Sequence, residues 1–323
     1  MDKILAYGEI MLRISSDSES IENTYSIGYG GCEANALAFL GQRGHNCKFL
    51  SSFPDNFVGK NAESFLKSFN IDCCLNFDKN RFGVYYTIPG KNNNPTKISY
   101  DRANSSFSLY SISKDRLLSF FKEIKYLLIS GITPALSPQC QDNILNMIEI
   151  AKSNNIKIIY DVNFRKNLWS MSECRVFTQK ILNSIDFLFT NSNTIREILK
   201  LDINSNTDTI FDETEKTVSE ILKIYQIPLI AMTIRKEDNL ASLISYESHN
   251  YRSEIYEVNQ VDRVGAGDSF LGATMHGFIS GWDIEKIISF AASSFAIAHT
   301  FKGDINNFTD LEIKNFRNNN VYR

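Results

Sequence analysis

The sequence predicts an α/β fold: a mainly parallel sheet flanked by helices on both faces, with a small β-sheet lid. Short apolar runs alternate with amphipathic stretches along most of the 323 residues. Two stretches break that alternation with apolar–polar alternation of period two and with Gly and Pro breaks. A hydrophobic fraction of 43% against 22% charged residues supplies a sizeable core.

Taken in order, the strand candidates are Ile4–Tyr7, Cys47–Ser51, Tyr126–Ser130, Ile156–Tyr160, Phe187–Phe189 and Pro228–Thr233. Helical patterns lie between them, over Glu33–Arg43, Phe57–Phe69, Pro138–Asn154, Ser172–Asn183 and Glu213–Tyr225. Asp268–Ser280 and Asp283–Thr300 follow as two further helices. Apolar strands alternating with helices of this length indicate βαβ units, hence a parallel sheet covered on both sides. Segments 11–29 and 82–100 suit antiparallel strands solvated on one face, a flap that would cover a cleft and exclude water. Large α/β sheets of this size commonly remain one unit, so residues 1–323 are read as a single domain with the lid inserted.

A net charge of −3 argues against a nucleic-acid binder, which needs a clustered basic excess. No run of some eighteen apolar residues predicts a membrane span. The opening Met1–Ile10 is broken too early for a signal peptide. The six cysteines lack the spacing of a zinc site, and adjacent Cys73 and Cys74 suit opposite faces of one strand. Reduced thiols and a cytoplasmic location are expected.

The strongest chemical signal is Val261-Asp262-Arg263-Val264-Gly265-Ala266-Gly267-Asp268-Ser269-Phe270, entering a helical run. Small residues before a helix let a ligand approach the backbone, and free amides at a helix start attract anions. Asp268 is then a catalytic-base candidate, or simply a helix cap.

This string resembles the carboxyl-terminal signature of the ribokinase-like (PfkB-type) carbohydrate kinases. Gly30-Gly31-Cys32-Glu33-Ala34-Asn35 looks like the amino-terminal one, so the resemblance spans most of the chain. It implies a sugar kinase using ATP and Mg²⁺. Asp268 would deprotonate the acceptor hydroxyl, the amides of Gly265, Ala266 and Gly267 would hold the γ-phosphoryl group, and Gly30, Gly31 and Asn35 would bind sugar. Segments Tyr100–Ser105, Ser130–Ser137 and Asp161–Trp169 resemble 2-keto-3-deoxygluconate kinases in particular, as do His299-Thr300 and Gly303-Asp304. Tyr86 and Tyr100 join the substrate-binding candidates. Arg102 and Arg165 offer planar forks for the carboxylate of such an acid sugar, although Arg165 could equally serve ATP phosphate. Asn163, Asn191, Thr233 and Arg235 resemble the family's nucleotide side. Where the family usually has Asn-x-x-Glu, this chain reads Asn191-Ser192-Asn193-Thr194, and Cys32 stands where glycine is commoner. No metal ligand is assigned. The alternatives are a fructokinase or other neutral-sugar kinase, and a catalytically weak sugar-binding homologue. The edges of the flap leave open a homodimer through the lid.

Overall fold

The structure, a computed structural model, describes residues 2–16, 24–88, 96–203, 208–305 and 307–316. Parts of both lid segments, 17–23 and 89–95, lie outside the described residues.

The chain begins with β1 (Lys3–Tyr7), then forms two lid strands, β2 (Met11–Ser16) and β3 (Tyr25–Gly30). It returns to the main body as α1 (Cys32–Gly41), β4 (Asn46–Pro54), α2 (Phe57–Lys67) and β5 (Ile71–Asp78). The second lid pair is β6 (Val84–Ile88) and β7 (Lys97–Asp101). The βα units resume with α3 (Lys114–Phe120), β8 (Ile124–Ser130), α4 (Pro138–Ser153), β9 (Lys157–Asp161), α5 (Met171–Ile181) and β10 (Phe187–Thr190). Helices α6 (Ser192–Leu199) and α7 (Asp212–Ile224) lead to β11 (Leu229–Lys236). An antiparallel edge follows, of β12 (Asn239–Tyr246), β13 (His249–Arg252) and β14 (Tyr256–Glu257). Helices α8 (Ala266–Ile279), α9 (Ile284–Ile297) and α10 (Asp310–Asn315) complete the described chain.

The main sheet runs β13-β12-β11-β10-β9-β8-β1-β4-β5, with β14 beside β12. Its neighbours from β5 to β11 pair in parallel. Successive side chains of β1 enter opposite layers, as strand geometry requires. Ile4 and Ala6 join the core under α1, α2, α8 and α9, whereas Leu5 and Tyr7 join the core under α3 to α7. Side-chain caps start several of the helices: Asn56 accepts from the amides of Val58 and Gly59 for α2. Ser137 precedes Pro138 at α4, and Ser170 with Glu173 forms a capping box at α5.

Every strand and helix expected from the sequence is present within a few residues of its expected bounds. The additions are the sheet-edge strand β5, whose position was foreshadowed only by Cys73 and Cys74, the helices α3, α6 and α10, and the antiparallel edge. The lid differs in its pairing. Its order is β3-β2-β6-β7, with two antiparallel hairpin pairs joined by a parallel β2–β6 seam. Cys73 and Cys74 occupy adjacent positions of β5, and all six cysteines are free. No helix of the described residues is long and apolar enough to cross a membrane.

Candidate active site

In an open α/β sheet, ligands gather outside the carboxyl ends of the parallel strands. Here a cleft of about 600 Å³ lies between those ends, the start of α8 and the lid. Asp161 closes β9, Asn191 follows β10, and Thr233 lies toward the end of β11; all three line the cleft.

Asp268 is the third residue of α8, buried at 8% exposure and facing this space. Its Oδ2 accepts a 2.7 Å hydrogen bond from Asn35 Nδ2. The other end of that carboxamide, Asn35 Oδ1, accepts from the Gly31 amide at 3.3 Å. One side chain thus ties the two glycine-containing signatures together. Burial pushes the Asp268 carboxyl up to about 8, with Asn35 pulling the other way and Asp161 adding to the rise. Asp268 is no cap: the cap position is Gly265, and no side chain caps α8.

Gly265 has φ +78°, and a Cβ there would collide with the Asp304 carbonyl oxygen. Only glycine fits that turn. Gly267, by contrast, faces open space and borders the cleft. Ala266 does not border it: the residue is fully buried and its amide donates to the Arg263 carbonyl at 3.4 Å. The expected three-amide hole is therefore reduced to the cleft-facing Gly265 and Gly267.

Gly30, Gly31, Asn35, Tyr100, Arg102, Asn163, Arg165 and Arg235 also line the cleft. Tyr86 does not. Strand alternation turns Tyr85 inward and leaves Tyr86 43% exposed on the far side of the lid. A one-residue shift reverses the face, and two adjacent tyrosines give the pattern nothing to choose between.

Arg102 is largely committed within the protein. Its Nε and Nη2 donate to Glu9 Oε2 at 2.8 and 2.5 Å, and both side chains are buried. Only Nη1 remains for a ligand, so the full fork expected from the sequence is not on offer. Arg165 is different: it is exposed in the cleft and pairs with no carboxylate among the described residues. Arg235 and Arg263 likewise line the cleft without an acidic partner there. Burial, with Arg263 and Arg165 nearby, lowers Arg235 to about 10. Three guanidinium groups with no counter-ion favour an anion between them.

Sequence reasoning missed Asp161, Arg263 and Asp304 as cleft residues. Asp161 accepts from Asn163 Nδ2 at 3.1 Å, and burial raises its carboxyl to about 7, opposed chiefly by Arg165. Its signal was available: the last polar residue of an apolar strand run. Cys32 lines the cleft too, its thiol donating to Glu33 Oε2 at 2.9 Å. Burial and the Glu33 charge push that thiol well up, which keeps it protonated and unreactive. Thr194 borders the cleft, and its amide donates to Asn191 Oδ1, so Asn191 is the cap of α6.

A buried carboxylate, cleft-facing backbone at a helix start and unpaired arginines together define a phosphotransferase acting on a hydroxyl group. The comparisons with known proteins agree. The chain belongs to the pfkB family of carbohydrate kinases, whose description matches residues 1–310. It is similar to a 2-dehydro-3-deoxygalactonokinase from Haloferax volcanii, with 27% identity over 97% of this chain and 95% of the relative. The crystal structure of 2-dehydro-3-deoxygluconokinase from Thermotoga maritima matches at TM-score 0.90 and 28% identity, covering 97% of this chain and 98% of that one. A fructokinase from Xylella fastidiosa, solved with bound ATP, shares the fold at TM-score 0.75 and 15% identity, over 94% and 93% of the two chains.

Proposed function

We propose that this sugar kinase transfers the γ-phosphoryl group of ATP to the terminal hydroxyl of 2-keto-3-deoxygluconate, with Asp268 as the base. The observation that carries the acid substrate is Arg165, an arginine in the Asp268 cleft with no carboxylate partner among the described residues. Similarity to kinases named for two 2-dehydro-3-deoxy sugar acids supports the same class. In the proposed reaction the acceptor oxygen attacks the γ-phosphorus while Asp268 takes the hydroxyl proton. The new O–P bond forms as the bond to the β–γ bridging oxygen breaks, and ADP leaves. Backbone at Gly265 and Gly267, together with Arg235 and Arg263, would stabilise the charge on the equatorial oxygens. Asn35 would aim the carboxylate.

No group of three or more acidic, histidine or cysteine residues that could hold a metal occurs among the described residues. Asp161, in the cleft at the end of β9, would be the protein ligand for a magnesium ion arriving with the nucleotide, whose other ligands would be phosphate oxygens and water. Once bound, the ion would neutralise phosphate charge. We further read residues 1–323 as one kinase domain with the lid inserted, and the outward lid face as a site where two copies pair.

A coupled assay of ADP release over acidic and neutral sugars tests the substrate. The expected result is a preference for 2-keto-3-deoxygluconate over fructose and ribose. Preference for a neutral sugar would overturn the acid reading and promote the fructokinase one. Absence of turnover on the whole panel would favour the weak sugar-binding homologue.

A further inference from the structure

The lid strand β2 sends one buried side chain into the catalytic region. Arg13, 6% exposed, sits at the middle of β2, the strand flanked by β3 and β6. Its Nη1 donates to Asp304 Oδ2 at 2.6 Å and its Nη2 to Asp262 Oδ2 at 2.8 Å. Its Nε donates to Ser15 Oγ at 2.7 Å, and Ser15 meets Thr87 Oγ1 of β6 at 2.5 Å. Each of the three guanidinium nitrogens thus has a partner, and the fork spans two loops that are far apart in sequence.

Both carboxylates lead directly to the phosphoryl-binding turn. Asp262 Oδ1 accepts from the amides of Arg263 and Val264, at 2.8 and 3.2 Å, just before Gly265. The Asp304 backbone fills the space that a Cβ on Gly265 would need, and its carboxyl group fills the space beside Gly30. Asp304 is thus wedged between the two glycine signatures. The amide of Asp262 is itself held by the His299 carbonyl at 3.3 Å.

We infer that Arg13 is a positioning residue, which fixes the Asp262–Gly267 turn in its phosphoryl-binding shape and couples that shape to the lid sheet. Arg13 does not line the cleft. Its effect passes through Asp262, whose Oδ1 orders the turn amides while its Oδ2 is pinned by the lid. Burial opposes the Arg13 charge, but the two aspartates outweigh it and leave the guanidinium more firmly protonated than usual. A bidentate fork fixes direction as well as charge, which a single ammonium cannot do.

Arg13→Lys keeps the charge and removes the fork. A second variant, Arg13→Lys with Asp304→Asn, leaves the lysine facing one buried carboxylate and guards against misfolding from unbalanced charge. Both are assayed on whichever sugar the wild-type protein phosphorylates, so failure of the acid-sugar reading leaves this test intact. At temperatures where circular dichroism shows a folded protein, kcat should fall about tenfold or more, while KM for ATP stays within about threefold. Combining Arg13→Lys with Asp262→Asn should cost no more than the worse single change, because the two act as one unit. A kcat within about twofold of wild type in either folded variant would overturn the inference. So would a loss carried wholly by KM, or fully additive effects of Arg13→Lys and Asp262→Asn.

Discussion

At the residue scale, Asp268 and its glycines make separable contributions. Replacing the proposed base with an isosteric amide should lower kcat by about two to four orders of magnitude in Asp268→Asn, the usual worth of a placed base. ATP affinity should persist, and a near wild-type rate in a folded variant would remove the assignment. The two glycines test the turn by contrast. Gly265→Ala should lower the melting temperature, because φ is +78° and the Asp304 carbonyl occupies the Cβ position. Gly267→Ala should melt like wild type yet turn over more slowly, since its methyl group would project into free space beside the cleft. Equal melting losses in both would contradict this division. Asp268, Gly265 and Gly267 were legible because they form one contiguous string. Asp161 stood in a quoted segment without being singled out, and Arg13 was invisible because its partners lie 249 and 291 residues away. Pattern reading has no term for such pairs.

At the element scale, the lid is amphipathic in an unusual sense. Its cleft side carries Arg13, Ser15, Tyr85 and Thr87, all buried, while Tyr25, Ile27, Tyr86 and Ile88 stand 57%, 70%, 43% and 39% exposed. Cross-strand register places Ile27 beside Ile14, and Ile14 beside Tyr86, so the outward residues form one face. An exposed apolar sheet face of this kind suits the proposed pairing of two copies. Ile27→Lys is expected to shift sedimentation from dimer to monomer; a wild-type monomer at micromolar concentration would refute pairing through this face. The lid strands were readable from their period of two, but their parallel seam was not, because pairing partners follow from tertiary packing. The missed β12–β13 hairpin has a local reason. Its turn uses Glu247 and Ser248 at φ 49° and 66°, without the Asn-Gly or Asp-Gly pair that announces such turns.

At the scale of the whole molecule, the parallel sheet was the most legible feature, because each buried strand declares itself as an apolar run. What gathers at its carboxyl end sets the pH response. Asp161 and Asp268 titrate at about 7 and about 8 in the folded chain, against about 3.9 when unfolded. Between those limits the native state binds more protons than the unfolded one, so these groups make stability fall as pH rises. His276 and His299, lowered to about 4 mainly by burial, act oppositely between about 4 and 6.5. The terms offset below about 6.5, leaving a net loss from there to about pH 8. Ligand-free melting curves should show that decline, and Asp268→Asn should reduce it, melting higher than wild type at pH 8. An unchanged pH dependence in that variant would show that Asp268 ionises normally. The order of the sheet also bears on synthesis. Strand β1 ends between β4 and β8, and Arg13 finds Asp304 only 291 residues later. At about 5–20 residues per second, a translating ribosome holds that arginine without its second partner for about 15–60 seconds. The main sheet need not wait, since both neighbours of β1 are made by residue 130, but the lid keeps this anchor unformed until almost the whole kinase has been made.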